Sequence, residues 1–576
     1  MNSQHVEILK LPMKLVFLLR QISILFFVIN KKMFFKSFKF EKAYITLILI
    51  SSIAPSFGAI DNNAIRWFFI STITIIYLCK NFKNSHLLSI GNKSIIFLGL
   101  IIAYLILSII ISENKEEATI SSLKIIVLIS VFLSSILAFK SLKNPFIYLS
   151  RVIVFILLIE VLFTIITYLI PIYGDFTGIS MNRNISTFSI LLKVPILLYY
   201  FSKLEINSFF RPYIILFEIL TIFSIFILES RAGIVLIFLI YFSLFFYKAY
   251  SKRRLIFLLL LALISFLGFV SSMSNYLNKK ALNPTELLQD ESLNYRVDYY
   301  INSLKLFKSN PIFGHGIGSW KIESLQFQDY NDSTILSPYY VHNDFLQILM
   351  ELGLIGLALY LFILFNFLIF LIKRFKKGKY FLILICFVIF LIDSSLNFPI
   401  HRSQEIIPFV LIISYLSFES LKKKPEIVES RKIKLLLVFL CSVSSVSLFL
   451  EHRSLKLQGE LYDDYSNNTF NVDYKMLKPL DYSFPNLSAN TVPLSTYISR
   501  YYINDNDFNK ANQLLRKAQL NNPNDLMTKE LQLKVSIQFG NYQESLDQLN
   551  FLMSRYPNNT LYFQLFNDIN DLLKNK

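Results

Sequence analysis

Thirteen stretches of this chain are apolar over lengths sufficient to cross about 30 Å of hydrocarbon. They fall at roughly 43–60, 64–80, 94–111, 118–139, 150–170, 185–201, 212–229, 232–248, 255–273, 344–372, 380–396, 405–420 and 433–450. Runs of this length read as membrane helices. Composition agrees: over 576 residues, 54% are hydrophobic, 16% are aromatic and the mean hydropathy is +0.50. A soluble chain of this length is far more polar. The expected fold class is all-α, a polytopic helical membrane protein with about thirteen spans.

The charges orient these spans. Loops at 31–42, 80–93, 140–151, 202–211, 248–254, 372–379 and 421–434 together hold 28 Lys and Arg. The alternate short loops hold one each: Arg66, Lys115, Arg183, Arg231 and Arg402. The positive-inside rule places the first set in the cytoplasm, with the N-terminus inside and the C-terminus outside. The net charge of +18 is therefore mostly topology, and it does not point to nucleic acid. Cys79, Cys386 and Cys441 all lie in apolar runs and offer neither a disulfide framework nor a metal-ligand spacing.

The expected organisation is as follows. Residues 1–42 form a cytoplasmic segment, in which 11–30 is interfacial or frayed and Met33 would serve equally well as a start. Spans one to nine occupy 43–273, a large periplasmic loop 274–341, and spans ten to thirteen 342–450. A periplasmic connector, 451–500, leads to a helical-repeat tail, 501–576. In that tail "NDFNKANQLLRKAQLNNPND" and "GNYQESLDQLNFLMSRYPNN" align with a shift of 34. Phe508 then pairs with Tyr542, Ala511 with Ser545, Leu515 with Leu549 and Pro523 with Pro557. That period is the tetratricopeptide pattern; a generic helical hairpin is the other reading. Flanking helices near 491–503 and 559–574 would cap the repeats.

Charges in or beside a membrane span are costly and usually functional. The outer helix ends supply "GISMNRNIS", "LESRAG", "SLNYRVDYY", "VHNDF" and "DSSLNFPIHRSQE". Arg183, Arg231 and Arg296 thus gather on one outer surface, and Arg presents a planar fork of donors suited to phosphate oxygens. Each arginine alone has another explanation, snorkelling to headgroups or pairing with an acid such as Glu229 or Asp298. His342 falls in the first turn of the tenth span, with Asn343 and Asp344 as capping candidates. The positive helix end disfavours imidazolium, and a neutral histidine there can act as a general base. The alternative is a capping or interfacial histidine. His342, Leu346, Leu349, Gly353, Gly356 and Tyr360 share one face of a continuous helix, where the glycines admit a second helix. Glu351 lies on the opposite side from His342 and reads as a structural acid bonded by a neighbouring helix. His315 sits in a Gly-rich turn, "NPIFGHGIGSW", which is no Walker motif. No spacing argues for a metal.

"NPIFGHGIGSW" followed by "YVHNDFLQILMELGLIG" resembles the signature of the O-antigen ligase superfamily. That superfamily includes O-antigen ligases, related polymerases and bacterial O-linked oligosaccharyltransferases. "YRVDYYINSLKLFKSNPIFG" is similar to it as well, with Arg296 at the arginine position. "GISMNRNIST", with Asn184, resembles its Asn-x-Asn segment, and "ESRAGIVLI" its Ser-Arg-Gly segment, with Ala232 in place of the usual glycine. "DSSLNFPIHRSQ", with Asp393, His401 and Arg402, resembles a motif of members that carry tetratricopeptide tails. The likeness covers about 43–420.

The resemblance implies transfer of a glycan from undecaprenyl diphosphate to an acceptor hydroxyl on the outer face of the bacterial inner membrane. No metal or cofactor is implied. Arg231, Arg183 and Arg296 would bind the diphosphate, and His342 would take the acceptor proton in a single inverting displacement. Asn184, Asn343, Glu351, Gly353, Asp393, His401 and Arg402 would support them, with His401 and Asp393 the next candidates for base. Lipid A-core is the leading acceptor. A protein hydroxyl or a growing glycan are the alternatives, and the tail offers a surface for a protein partner. The competing class is a polysaccharide transporter or flippase, but transporters usually place charges at the midplane and show internal repeats.

Overall fold

The computed structural model describes residues 39–82, 92–170, 177–203, 211–245, 260, 291–327, 339–421 and 431–574. Of the ninth expected span, 255–273, only residue 260 is described; within the loop expected at 274–341, residues 274–290 and 328–338 lie outside the described residues, as does the segment 1–38. The longer regular elements among the described residues are all helices, and seven of them are long and apolar enough to cross a membrane. It is a polytopic helical membrane protein.

The first half is built from α1 (Phe40–Ser51), α2 (Asn63–Lys80), α3 (Asn92–Ile111), α4 (Lys115–Lys140), α5 (Pro145–Leu169), α6 (Arg183–Lys203), α7 (Arg211–Ile227) and α8 (Arg231–Phe245). Local chemistry sets the ends. Asn114 caps α4 by accepting the Glu117 amide at 3.0 Å, and Pro145 opens α5, where its missing N–H costs nothing. The first expected span does not form as one helix. After Ser51 the chain turns through Pro55 and Gly58 (φ +87°) before α2 begins. Twelve residues rise only about 18 Å, so α1 does not cross by itself.

Next come α9 (Glu291–Ser309), the single turn α10 (Trp320–Glu323), α11 (Asp344–Ile372), α12 (Gly378–Leu396) and α13 (Ser403–Leu421). α14 (Arg431–Ser466) packs along α2 and α4, and continues without a break past residue 450. Polar side chains buried in the bundle lock helices together. Lys193 meets Glu160 at 2.9 Å, joining α6 to α5. Arg66, 2% exposed, donates to Gln404 and to the Ala54 and Ile179 carbonyls, joining α2 to α13.

The tail comprises α15 (Leu494–Asn504), α16 (Phe508–Asn521), α17 (Leu526–Gln538), α18 (Tyr542–Arg555) and α19 (Thr560–Lys574). α16 and α18 have equal lengths and begin at the paired residues Phe508 and Tyr542. Ala511 and Leu515 are fully buried, as are their counterparts Ser545 and Leu549. The tail sits on the bundle. Asn114 donates to Asn486 and to the Asn521 carbonyl, both at 3.0 Å, and Asn486 donates to Glu116 at 3.1 Å. Asn524 and Arg555 reach the Ile322 and Gln326 carbonyls beside α10.

Candidate functional site

The bundle end that carries the site is the one opposite the lysine-rich loops. Its centre is an interlock between α11 and the loop 310–318. α11 is not continuous: Gly353 has φ +61° and ψ −166°, a conformation essentially confined to glycine. At the break the loop replaces the helix's own hydrogen bonds. His315 and Gly316 donate to the Met350 and Glu351 carbonyls at 3.1 and 2.8 Å, and Leu354 donates to Pro311 at 2.9 Å. The approach is close on both sides. A Cβ on Gly353 would lie 2.3 Å from the Ile312 carbonyl oxygen, and one on Gly314 2.4 Å from that of Glu351. This corrects two sequence expectations. Gly353 admits a loop, not a helix, and the shared face from His342 to Tyr360 is interrupted.

Glu351 belongs to the same interlock. Its carboxylate accepts the Gly318 amide at 2.9 Å, the Trp320 amide at 3.4 Å and the Gln347 side chain at 3.2 Å. Its partners come from the loop, from Trp320 at the start of α10 and from its own helix. Glu351 therefore fixes the start of α10, which carries Lys321. His315 is held by Leu306 O, 2.9 Å from Nε2, and its Nδ1 is 3.6 Å from Glu323.

His342 stands just ahead of α11, outside its first turn. Asn343 is the N-cap and accepts the Leu346 amide at 3.1 Å, while its own amide donates to Ser395 O at 3.2 Å. His342 has φ +59°, a left-handed conformation that costs a non-glycine residue about 1–3 kcal/mol. Tyr300 steadies the backbone by donating to His342 O at 3.1 Å. The imidazole lies near parallel to Tyr299, centroids 6.3 Å apart, and edge-on to Phe398 at 5.0 Å. It is half-buried, and its Nδ1 has no hydrogen-bond partner. Burial, and then the charges of Arg296 and Arg402, push its pKa down to about 4. The neutral, proton-accepting form therefore dominates near pH 7.

Arg296 uses one of its donors on Leu396 O at 3.1 Å, at the negative end of α12. Arg402 lies 3.5 Å from Asp61 and 5.2 Å from the centre of the Phe398 ring. Asp393 is buried and accepts from Asn397 at 2.8 Å. His401 packs on Tyr340, centroids 4.7 Å apart. Burial, with Lys124, Arg402 and Lys321 nearby, pushes its pKa down to about 3, so it too is neutral.

Arg183 and Arg231 open α6 and α8, where the positive helix end disfavours a cation. Arg183 meets Glu229 at 2.8 Å, and Ser230 donates to Asn184 at 3.1 Å. Gly233 makes this proximity possible, because a Cβ there would lie 2.3 Å from Thr187 of α6. Met181 and Glu229, like His342, have positive φ.

Beside these groups lies a cavity of about 300 Å³, lined by residues of α2, α3, α4, α11, α12 and α13. Its head holds Lys124, Lys321, Tyr339, Tyr340 and His401. Lys124 pairs with Glu451 at 2.8 Å, and Lys321 with Glu117. The sequence reading passed over both lysines. Lys124 falls inside an apolar run, which was the available signal; Lys321 directly follows the "GIGSW" motif. Among the described residues, no group of three or more His, Cys, Asp or Glu is placed to hold a metal ion.

The arrangement offers a neutral imidazole, its buried Nδ1 without a hydrogen-bond partner, within the fields of Arg296 and Arg402 and on a strained backbone at the start of a membrane helix. Such a site can take a proton from a hydroxyl while cations face an anionic leaving group. Residues 216–361 match the family described as O-antigen ligase, in line with the motifs that resemble that superfamily. The match spans α7 to the first half of α11, and so includes Arg231, Arg296, the glycine loop and His342. No curated protein matches the chain.

Proposed function

We propose that this chain, whose residues 216–361 match the O-antigen ligase family, transfers a glycan from undecaprenyl diphosphate to an acceptor hydroxyl. The transfer takes place on the periplasmic face of the inner membrane. The observation that carries the reading is His342: half-buried, neutral, with Nδ1 unpartnered and facing the fields of Arg296 and Arg402. His342 accepts the proton as the acceptor oxygen attacks the anomeric carbon. The bond from that carbon to the diphosphate oxygen breaks, and the arginines neutralise the charge left on the diphosphate. One displacement inverts the carbon. The chemistry assigned to these residues needs no metal or cofactor.

Arg296 and Arg402 serve the diphosphate nearest His342, with Arg183 and Arg231 completing a cationic rim. Asn343, Glu351 and Gly353 hold the helix start, and Asn184 holds the α6–α8 corner. Asp393 and His401 stand behind the base. Lipid A-core is the favoured acceptor, with protein Ser or Thr and a growing polysaccharide as the alternatives. The tail reads as tetratricopeptide-like, since its paired helices keep the 34-residue register of the sequence, and it would receive a protein partner.

Gene deletion decides the acceptor. Loss of only long-chain lipopolysaccharide on gels identifies a ligase, loss of glycoprotein bands an oligosaccharyltransferase, and accumulated single repeat units a polymerase. Normal surface glycans throughout would sink the enzymatic reading. Orientation has its own test. A reporter fused after Lys576 is expected to be active only if it works in the periplasm; a cytoplasmic signal would reverse the placement of every site residue. For Arg231, the Arg231→Lys protein should insert normally yet lose most transfer, because an ammonium cannot replace the bidentate fork. Full activity in that variant would reduce Arg231 to a snorkelling surface residue.

A further inference from the structure

We propose that the helical tail is a working part of the transfer site, in which Asn524 and Arg555 are positioning residues that hold the segment 320–327 and, through it, the aromatic wall beside His342. Their task rests on the proposed role of His342 as the base.

The tail meets the bundle along one edge. Asn521 and Arg555 are counterparts in the two repeated segments, related by the shift of 34. They end α16 and α18, and both touch the bundle: Asn114 donates to Asn521 O at 3.0 Å, and Arg555 donates to Gln326 O. Asn524, just after α16, donates to Ile322 O at 3.3 Å. The tail thus supplies two donors to one short segment, α10 and the 3₁₀ turn Ser324–Phe327 that follows it. The arginine bond is charge-assisted, the stronger kind.

The same segment is held from its other sides. Glu351 of α11 accepts the Trp320 amide at 3.4 Å, and Lys321 pairs with Glu117 of α4. α4 is itself tied to the tail, because Asn114 caps it through Oδ1 and reaches Asn486 and Asn521 through Nδ2. Tail, α4 and α10 therefore close a ring. A helix of a single turn has no stability of its own, so contacts from outside decide where it stands.

Its place matters because of what it carries. Trp320, 0% exposed, meets Tyr299 edge-on with centroids 6.0 Å apart, and Tyr299 lies near parallel to His342. Trp320 and Val341, the residue before His342, share one buried apolar cluster, with Phe327 packed against it. The carbonyl that Arg555 grips is the one joined to Phe327. Releasing the segment loosens this packing and lets water reach the imidazole. Burial is the first cause of the low His342 pKa, so wetting raises it toward the ordinary value.

The test uses the full chain in phosphatidylcholine nanodiscs and diethyl pyrocarbonate, which acylates neutral imidazole. Modification of His342 is followed by peptide mass spectrometry over a pH series. In the Asn524→Ala/Arg555→Ala protein His342 should react about three- to tenfold faster at neutral pH than in the parent, the scale set by loss of a hydrogen bond. The midpoint of its reactivity should rise from about 4 toward the ordinary value of about 6.5. Glycan transfer should fall by a similar factor. Arg516→Ala removes an exposed arginine from the same tail and should behave as the parent. If the double variant does not accumulate, Asn524→Ala alone should show the same shift in smaller degree. Two outcomes would overturn the proposal: folded variants in which His342 keeps the parent's rate and midpoint, or an equal change in Arg516→Ala. The readout at His342 requires no transfer, so its failure is separable from failure of the transfer reading.

Discussion

The His342→Ala protein is expected to insert, to bind the lipid-linked donor nearly as the parent does, and to transfer glycan about 10²–10⁴ times more slowly, the usual cost of losing a general base. The alternative role, holding the start of α11, predicts loss of folded protein instead. That role is already filled by Asn343, which caps the helix through its own side chain. The pH profile separates the two further. With the imidazole pKa pushed down to about 4 by burial and by Arg296 and Arg402, the base is unprotonated through the neutral range. Parent activity should therefore be flat near pH 7 and fall only as pH drops toward 4, where imidazolium can no longer accept a proton. Removing one of the two positive neighbours with Arg296→Gln should move that fall to higher pH. An alanine variant transferring at the parent's rate would transfer the base role to His401 or Asp393.

The Gly353→Val protein is expected not to accumulate in folded form. Two costs add. The residue must hold φ +61° and ψ −166°, a region costing about 3 kcal/mol for a side-chain-bearing residue. Its Cβ would also fall 2.3 Å from a backbone oxygen that cannot swing away. Gly314→Val meets the other half of the interlock and should fail in the same way. By contrast, Gly99→Val has nothing within 4 Å of its Cβ and should fold. Detergent-solubilised yield and thermal midpoint, measured side by side for the three, decide the matter. A stable Gly353→Val protein would mean that α11 can run straight and that the loop is not seated in it.

Reading the sequence located these parts unevenly, for physical reasons. Long apolar runs announce themselves because hydrocarbon admits little else, and so most helices appear where hydropathy places them. α1 falls short because hydropathy counts Ile53, Ala54, Phe57 and Ala59 as apolar and is blind to the turn at Pro55 and Gly58. The continuation of α14 was hidden for the opposite reason. At Glu451 the composition changes from apolar to polar, although the backbone does not change at all. The break at Gly353 was not legible, because no proline marks it and its cause is a loop some forty residues away in sequence. His342 was visible as a polar residue at a helix start, and Asn343 as its cap. The pairing of His342 with Arg296 and Arg402 was not visible, since three separate chain segments have to meet to create it.

α14 makes the bundle and the tail parts of one shaft. It spans thirty-six residues, about 54 Å, and carries Glu451 against Lys124 at the cavity head and Gln458 against the Ala489 amide in the tail. Each residue added to a helix rotates everything beyond it by about 100° and advances it by 1.5 Å. A single insertion between Glu451 and Gln458 would therefore swing the whole tail away from Asn114, Ile322 and Gln326 at once, with no hinge to absorb the turn. Substitutions along this stretch are tolerable one by one, but its length is not negotiable. The spacing between the tail and the site is set as a phase angle, in whole residues of helix.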